Sequence, residues 1–183
     1  MGYGNVNWEE LYQKLPTERD PASRERRQAM FNQFDPNGNG VLSLAEVDKA
    51  IRDVLAIDAI FDAKPPIMRA FQIAKNCTKS TRSDGVGPDY IEFLEFRYFL
   101  RSLRQYFEYW VAFKRIDDND DRRLNFEEFK DAMPEIRKWV GAIKDPKAEF
   151  NIIDKNGGGM ILFDEFVSWA FSKNLDLDDD DDA

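Results

Sequence analysis

Asp35-Pro36-Asn37-Gly38-Asn39-Gly40-Val41-Leu42-Ser43-Leu44-Ala45-Glu46 sets oxygen-bearing side chains at positions 1, 3, 5 and 9 of a twelve-residue stretch. Glycine stands at position 6, an aliphatic residue at position 8 and glutamate at position 12. A hard cation such as calcium takes six to eight oxygens at about 2.3 to 2.6 Å, and alternate residues of a tight loop can supply them. Glutamate at the end adds a carboxylate able to clamp with both oxygens. Asp35, Asn37, Asn39 and Glu46 are the expected side-chain ligands, Val41 contributes its carbonyl, and Ser43 acts through a water. Calcium is the expected cofactor and magnesium the expected competitor.

The pattern recurs along the chain. Aligned on position 8, Leu42, Ile91, Leu124 and Ile161 are equivalent, and Glu46, Glu95, Glu128 and Glu165 follow four residues later. Loop three carries Asp117, Asn119, Asp121, the Arg123 carbonyl, Asn125 and Glu128. Its position 6 is Arg122, and a non-glycine residue held at positive φ costs about 1 to 2 kcal/mol. Loop four carries Asp154, Asn156, Gly158, the Met160 carbonyl and Glu165, with Gly159 at the turn. Gly158 offers no side chain at position 5 and Leu162 holds no water at position 9, so a bound water is expected to replace the missing ligand. Loop two is expected to fail. Counted back from Glu95, it places Asp84, Val86 and Pro88 at positions 1, 3 and 5 and Asp89 at the turn. The sequence thus predicts two to three calcium sites and a degenerate second unit that pairs with the first.

Apolar residues flank each loop at helical spacing. Met30, Phe31 and Phe34 precede loop one, Ala112, Phe113 and Ile116 precede loop three, and Phe150 and Ile153 precede loop four. Val47, Ala50 and Ile51 follow loop one, Phe96, Phe99 and Leu100 loop two, Phe129, Ala132 and Met133 loop three, and Phe166, Trp169 and Ala170 loop four. Glu128 and Glu165 lie 37 residues apart, whereas Glu46 and Glu95 lie 49 apart, so the first pair carries an insertion. Upstream, Asn7 caps a helix whose apolar face is Trp8, Leu11 and Leu15 and which ends at Pro16. Asp20-Pro21 caps and begins the helix entering loop one. Lys64-Pro65-Pro66 marks a break before a helix expected over 67–74, and 76–88 reads as an expanded loop. The expected fold is all-α: two lobes of paired helix-loop-helix units, short β-bridges between paired loops, and an extra N-terminal helix. The expected divisions are an N-terminal segment over 1–20, lobes over 21–104 and 105–175, and a solvated acidic tail over 176–183.

Composition excludes several functions. Asp and Glu outnumber Lys and Arg, 35 to 26, giving a net charge of -9, which argues against a nucleic-acid partner. There is no histidine and one cysteine, Cys77, so imidazole bases, His- or thiolate-ligated zinc and an intramolecular disulfide are all ruled out. The acidic residues fall at ligand positions or on solvated faces, and no enzyme is expected. No apolar run approaches the roughly 20 residues of a membrane span, and the N-terminus lacks the features of a signal peptide, so a cytoplasmic address is expected.

On these residues the chain is identified as a member of the EF-hand superfamily, and within it resembles the flagellar calcium-binding proteins, or calflagins. The likeness is carried by Trp8-Glu9 with Leu15-Pro16, by Arg26-Arg27 before Phe31 and Phe34-Asp35, and by Ile91-Glu92-Phe93-Leu94-Glu95-Phe96-Arg97. Trp139-Val140-Gly141 before Asp145-Pro146, and Phe163-Asp164-Glu165-Phe166 with Trp169-Ala170, extend it over about 8–176. The resemblance implies two EF-hand lobes, an incomplete second hand and a calcium-responsive role at the flagellar membrane through N-terminal acylation. This chain departs from the last element: Gly2 is present, but Val6 stands where acylation wants Ser or Thr, Tyr3 is bulky and no cysteine is near. Membrane attachment is therefore not expected. The expected role is a calcium sensor that engages a protein target, with a constitutive structural subunit or calcium buffer of a flagellar assembly as the alternative. A flagellar location is implied by the resemblance alone.

Overall fold

The computed structural model describes residues 6–75, 77 and 89–175. Asn7 accepts a hydrogen bond from Glu10 N at 3.0 Å and opens helix α1, Trp8–Lys14. Leu15, preceding Pro16, takes an extended conformation and ends it. Asp20 accepts from Ser23 N at 2.9 Å and, with Pro21 in the first turn, starts α2, Pro21–Phe34. Buried Arg27 donates to the carbonyls of Pro16 and Glu18, and Arg97 Nε donates to Thr17 O at 2.6 Å, so the link between α1 and α2 is held by two guanidinium groups.

Beyond loop one come strand β1, Val41–Leu42, and helix α3, Leu44–Ala50, which widens into a π-helical turn over Ile51–Leu55. That turn closes on Ala56, held at φ 50°, and a short helix α4, Asp58–Asp62, follows. Helix α5 runs Lys64–Ala74. Its start is three residues earlier than expected because Pro65 and Pro66 lie in the first turn, where the missing N–H groups have no intrahelical partner to lose. The expanded loop of 76–88 lies outside the described residues apart from Cys77. Strand β2, Ile91–Glu92, leads into α6, Phe93–Ile116.

Strand β3, Arg123–Leu124, precedes α7, Phe126–Asp131, and Ala132 then breaks the path before α8, Met133–Val140, which takes Pro134 into its first turn. Asp145 caps α9, Pro146–Ile153, and strand β4, Ile161–Leu162, opens α10, Phe163–Lys173. Paired loops are joined as two-residue antiparallel ladders, Leu42 opposite Ile91 and Leu124 opposite Ile161. All four of these position-8 residues are fully buried. The fold is all-α with short strands, the N-terminal helix included.

The chain divides into two compact units, Val6–Phe107 and the part from Glu108 onward, and the division falls inside α6. In the first, Phe96 meets Phe31 and Phe34 edge-on at 5.4 and 5.2 Å between ring centroids, and Trp8 of α1 meets Phe107 at 5.9 Å. In the second, Phe113 meets Phe166 at 5.5 Å and Phe129 meets Phe150 at 5.7 Å. These contacts obey one rule. The aromatic four residues before a loop packs on the aromatic that follows the clamping glutamate of the paired loop. Glu149 fastens α9 to α10, accepting from Trp169 Nε1 at 2.7 Å and Lys173 Nζ at 2.9 Å. Burial raises the pKa of this carboxyl, but the two donors outweigh burial and hold it below its ordinary value.

Truncation of Phe96 to alanine removes the ring shared by α2 and α6, and urea unfolding of the variant should show a loss of about 3 to 5 kcal/mol. Leu94→Ala, two residues earlier on the same helix at a side chain 67% exposed, should stay within about 0.5 kcal/mol of the parent. Equal losses would place the core elsewhere.

Candidate metal centres

Each described loop is shaped by its first carboxylate. Asp35 Oδ1 accepts from Asn39 N at 3.2 Å and Oδ2 from Gly40 N at 2.8 Å. Asp117 does the same with Asp121 N at 3.1 Å and Arg122 N at 3.1 Å, and Asp154 with Gly158 N at 3.0 Å and Gly159 N at 2.8 Å. The position-3 amides follow suit: Asn37, Asn119 and Asn156 each accept the position-5 N–H through Oδ1, at 2.9, 2.9 and 2.7 Å. At position 5, Asn39 Oδ1 accepts from Val41 N at 3.0 Å and Asp121 Oδ1 from Arg123 N at 2.9 Å. These oxygens therefore face one locus per loop and retain lone pairs, since a carboxylate oxygen accepts from two directions.

The turns that bring them together need left-handed backbone at positions 4 and 6. Gly38 and Gly40 supply it in loop one at φ 70° and 79°, and Gly157 and Gly159 in loop four at 69° and 77°. Loop three reaches the same conformation without glycine, with Asp120 at 60° and Arg122 at 65°. The strain expected at Arg122 is thus present, and Asp120 shares it. Gly158 has its own reason: a Cβ there would lie 2.5 Å from Asn156 Oδ1.

The position-12 glutamates complete the geometry. Oε2 of Glu46, Glu128 and Glu165 accepts from the N–H of Ser43, Asn125 and Leu162 respectively, each at 2.9 Å. Glu95 of the second hand makes the same bond to Glu92 N at 3.0 Å. Oε1 is turned toward the loop. In loops one and four it accepts from the Asn37 and Asn156 side-chain amides, the latter at 2.7 Å. In loop three Glu128 Oε1 is buried and has no hydrogen-bond partner. A buried carboxylate oxygen left unpaired is costly, and a cation held by Asp117, Asn119 and Asp121 would satisfy it. The residues present fit calcium.

Position 9 holds a signal the sequence pattern concealed. Ser43 Oγ donates to Glu46 Oε2 at 2.7 Å and accepts from Glu46 N at 3.2 Å, and Asn125 Oδ1 accepts from Glu128 N at 3.0 Å. Both residues are helix N-caps in reciprocal capping boxes with the clamping glutamate. Leu162 at the equivalent place is partly exposed. Val41 and Arg123, expected to ligate through their carbonyls, lie in β1 and β3, and Met160 immediately precedes β4. Asp84, Val86 and Pro88 of loop two lie outside the described residues, while Asp89 pairs with Lys75 at 2.6 Å.

Replacing Arg122 by glycine relieves the left-handed strain. Calorimetric calcium titration of Arg122→Gly should show loop three binding up to about tenfold more tightly. A weaker site would mean that the turn does not adopt this conformation.

The family model for the FCaBP EF-hand domain matches residues 11–103. Flagellar calcium-binding proteins TB-24 and TB-17 of Trypanosoma brucei brucei are each 38% identical to this chain, over 97% of its length and 82% and 76% of theirs. The flagellar calcium-binding protein of Trypanosoma cruzi is 36% identical over 96% of the chain and 83% of its own length. With three loops of this geometry and relatives of this similarity along nearly its whole length, the chain belongs to the flagellar calcium-binding proteins, a family of calcium-binding EF-hand proteins.

Proposed function

We propose that this chain is a calcium sensor in which loops one, three and four hold the ion and the exiting helices move to engage a protein target. The observation that carries the reading is the residue after each clamping glutamate. Val47, Phe96, Phe129 and Phe166 are all fully buried. A bound calcium ion supplies a divalent charge that draws in both oxygens of the position-12 carboxylate. Glu46, Glu128 and Glu165 sit at the heads of α3, α7 and α10, so any advance of the carboxylate is transmitted to the core aromatics mounted beside it. Asn37 and Asn156 release Oε1 and present Oδ1 to the same locus. Ile152 and Phe171 in the second unit, and Leu94 and Tyr98 in the first, already expose apolar surface of the kind a protein target contacts.

The names of the relatives support a flagellar setting. Among the described residues no helix is long and apolar enough to cross a membrane. Gly2 lies outside the described residues, and the mismatch of Val6 with the acylation pattern leaves no basis for a lipid anchor.

Calorimetry on chelator-stripped protein, with and without millimolar magnesium, should resolve two to three calcium sites of micromolar or tighter affinity. Glu46→Gln should remove one of them, because a bidentate carboxylate becomes a neutral ligand. A hydrophobic dye should brighten as calcium is added. Binding without any rise in dye signal would assign the chain to the buffers or constitutive scaffolds, whose hands barely open.

A further inference from the structure

Loop three differs from its counterparts in one contact. Lys114, three residues ahead of Asp117 on the last turn of α6, places Nζ 2.7 Å from Asp117 Oδ2 and pairs with Asp120 as well. The equivalent residues ahead of loops one and four are Asn32 and Asn151, and Asn32 Oδ1 accepts from Gln28 instead. Neither Asp35 nor Asp154 forms an ion pair among the described residues. The Lys114 side chain is 10% exposed and that of Asp117 fully buried, and the Trp110 ring centroid lies 5.9 Å from the ammonium. Water and salt screen such a pair far less than a surface one.

We propose that Lys114 is a tethered counter-ion of loop three, an internal competitor that a divalent ion must displace from Asp117, so that this loop fills at a higher calcium concentration than its ligands alone would set. The idea rests on loop three holding calcium, as proposed above. Two features make displacement feasible. Lysine carries its charge on a flexible four-carbon stem rather than in a rigid fork. Asp120, at the non-ligand position 4, is exposed and keeps a second carboxylate at the mouth of the loop for the released ammonium. The competitor is covalently attached, so its local concentration does not change with dilution or with the ionic medium.

The test follows backbone amides by nitrogen-15 NMR during calcium addition to the full chain. Gly40, Arg122 and Gly159 each donate to the position-1 aspartate of their own loop and report the loops separately. Lys114→Met, and Lys114→Gln should the first fold poorly, are expected to lower the half-saturating calcium at Arg122 by about five- to tenfold and to leave Gly40 unchanged. Lys114→Arg should retain the parent threshold. Lys130→Met controls for overall charge, because Lys130 is exposed and pairs only locally with Glu127. An Arg122 curve unaltered by loss of Lys114, or an equal gain from Lys130→Met, would overturn the proposal. An Arg122 amide that calcium leaves unmoved in the parent and in both neutral variants would instead overturn the assignment of loop three as a calcium site.

Discussion

The structure turns on a buried carboxylate at the head of each exiting helix. Glu46, Glu128 and Glu165 each satisfy one oxygen on the backbone N–H three residues back and direct the other into the loop. This single group is helix cap and prospective metal clamp at once. Keeping an ionised carboxylate away from water costs several kcal/mol unless partners are supplied, so the loop around it is built of donors, and the ligand oxygens are lined up as a by-product of satisfying them. Position 9 shows the economy of the arrangement: Ser43 and Asn125 cap the same helix turn that the glutamate closes.

Core packing inherits this geometry. Because Phe96, Phe129 and Phe166 follow the clamping glutamates directly, the loop fixes where each ring stands, and the ring from the helix entering the paired loop meets it edge-on. Edge-to-face contacts of this kind add roughly 0.5 to 1.5 kcal/mol beyond the area they bury. The loops and the aromatic core are therefore one mechanical system, joined by a single peptide link at each helix head.

Much of this was legible in the sequence. Period and spacing located the four hands, the aliphatic bridge residues and the apolar faces, because helix and loop geometry leave few places for such residues to go. The caps at Asn7, Asp20 and Asp145 were readable for the same reason. Other features were not. Pro65 and Pro66 look like a break and are a first turn, since proline reads alike on either side of a helix start. The π-helical turn over Ile51–Leu55 has no compositional sign. Asp120 in the left-handed region was hidden because glycine is the residue that advertises such a turn. The Lys114 contact depends on a rotamer and on burial, neither of which a one-dimensional pattern records.

Asp120 and Arg122 also bear on how the second unit acquires its order. A residue with a side chain is confined in the unfolded chain in a way glycine is not, so the strain at these positions is partly repaid by the smaller freedom given up on folding. Loop four faces the opposite balance, since Gly157-Gly158-Gly159 surrenders more conformational entropy than any other residues would. The two loops meet at Leu124 and Ile161. A stiff loop and a slack one are thereby bridged, and the entropic burden of arranging the slack one is shared with a neighbour that is already close to its final shape.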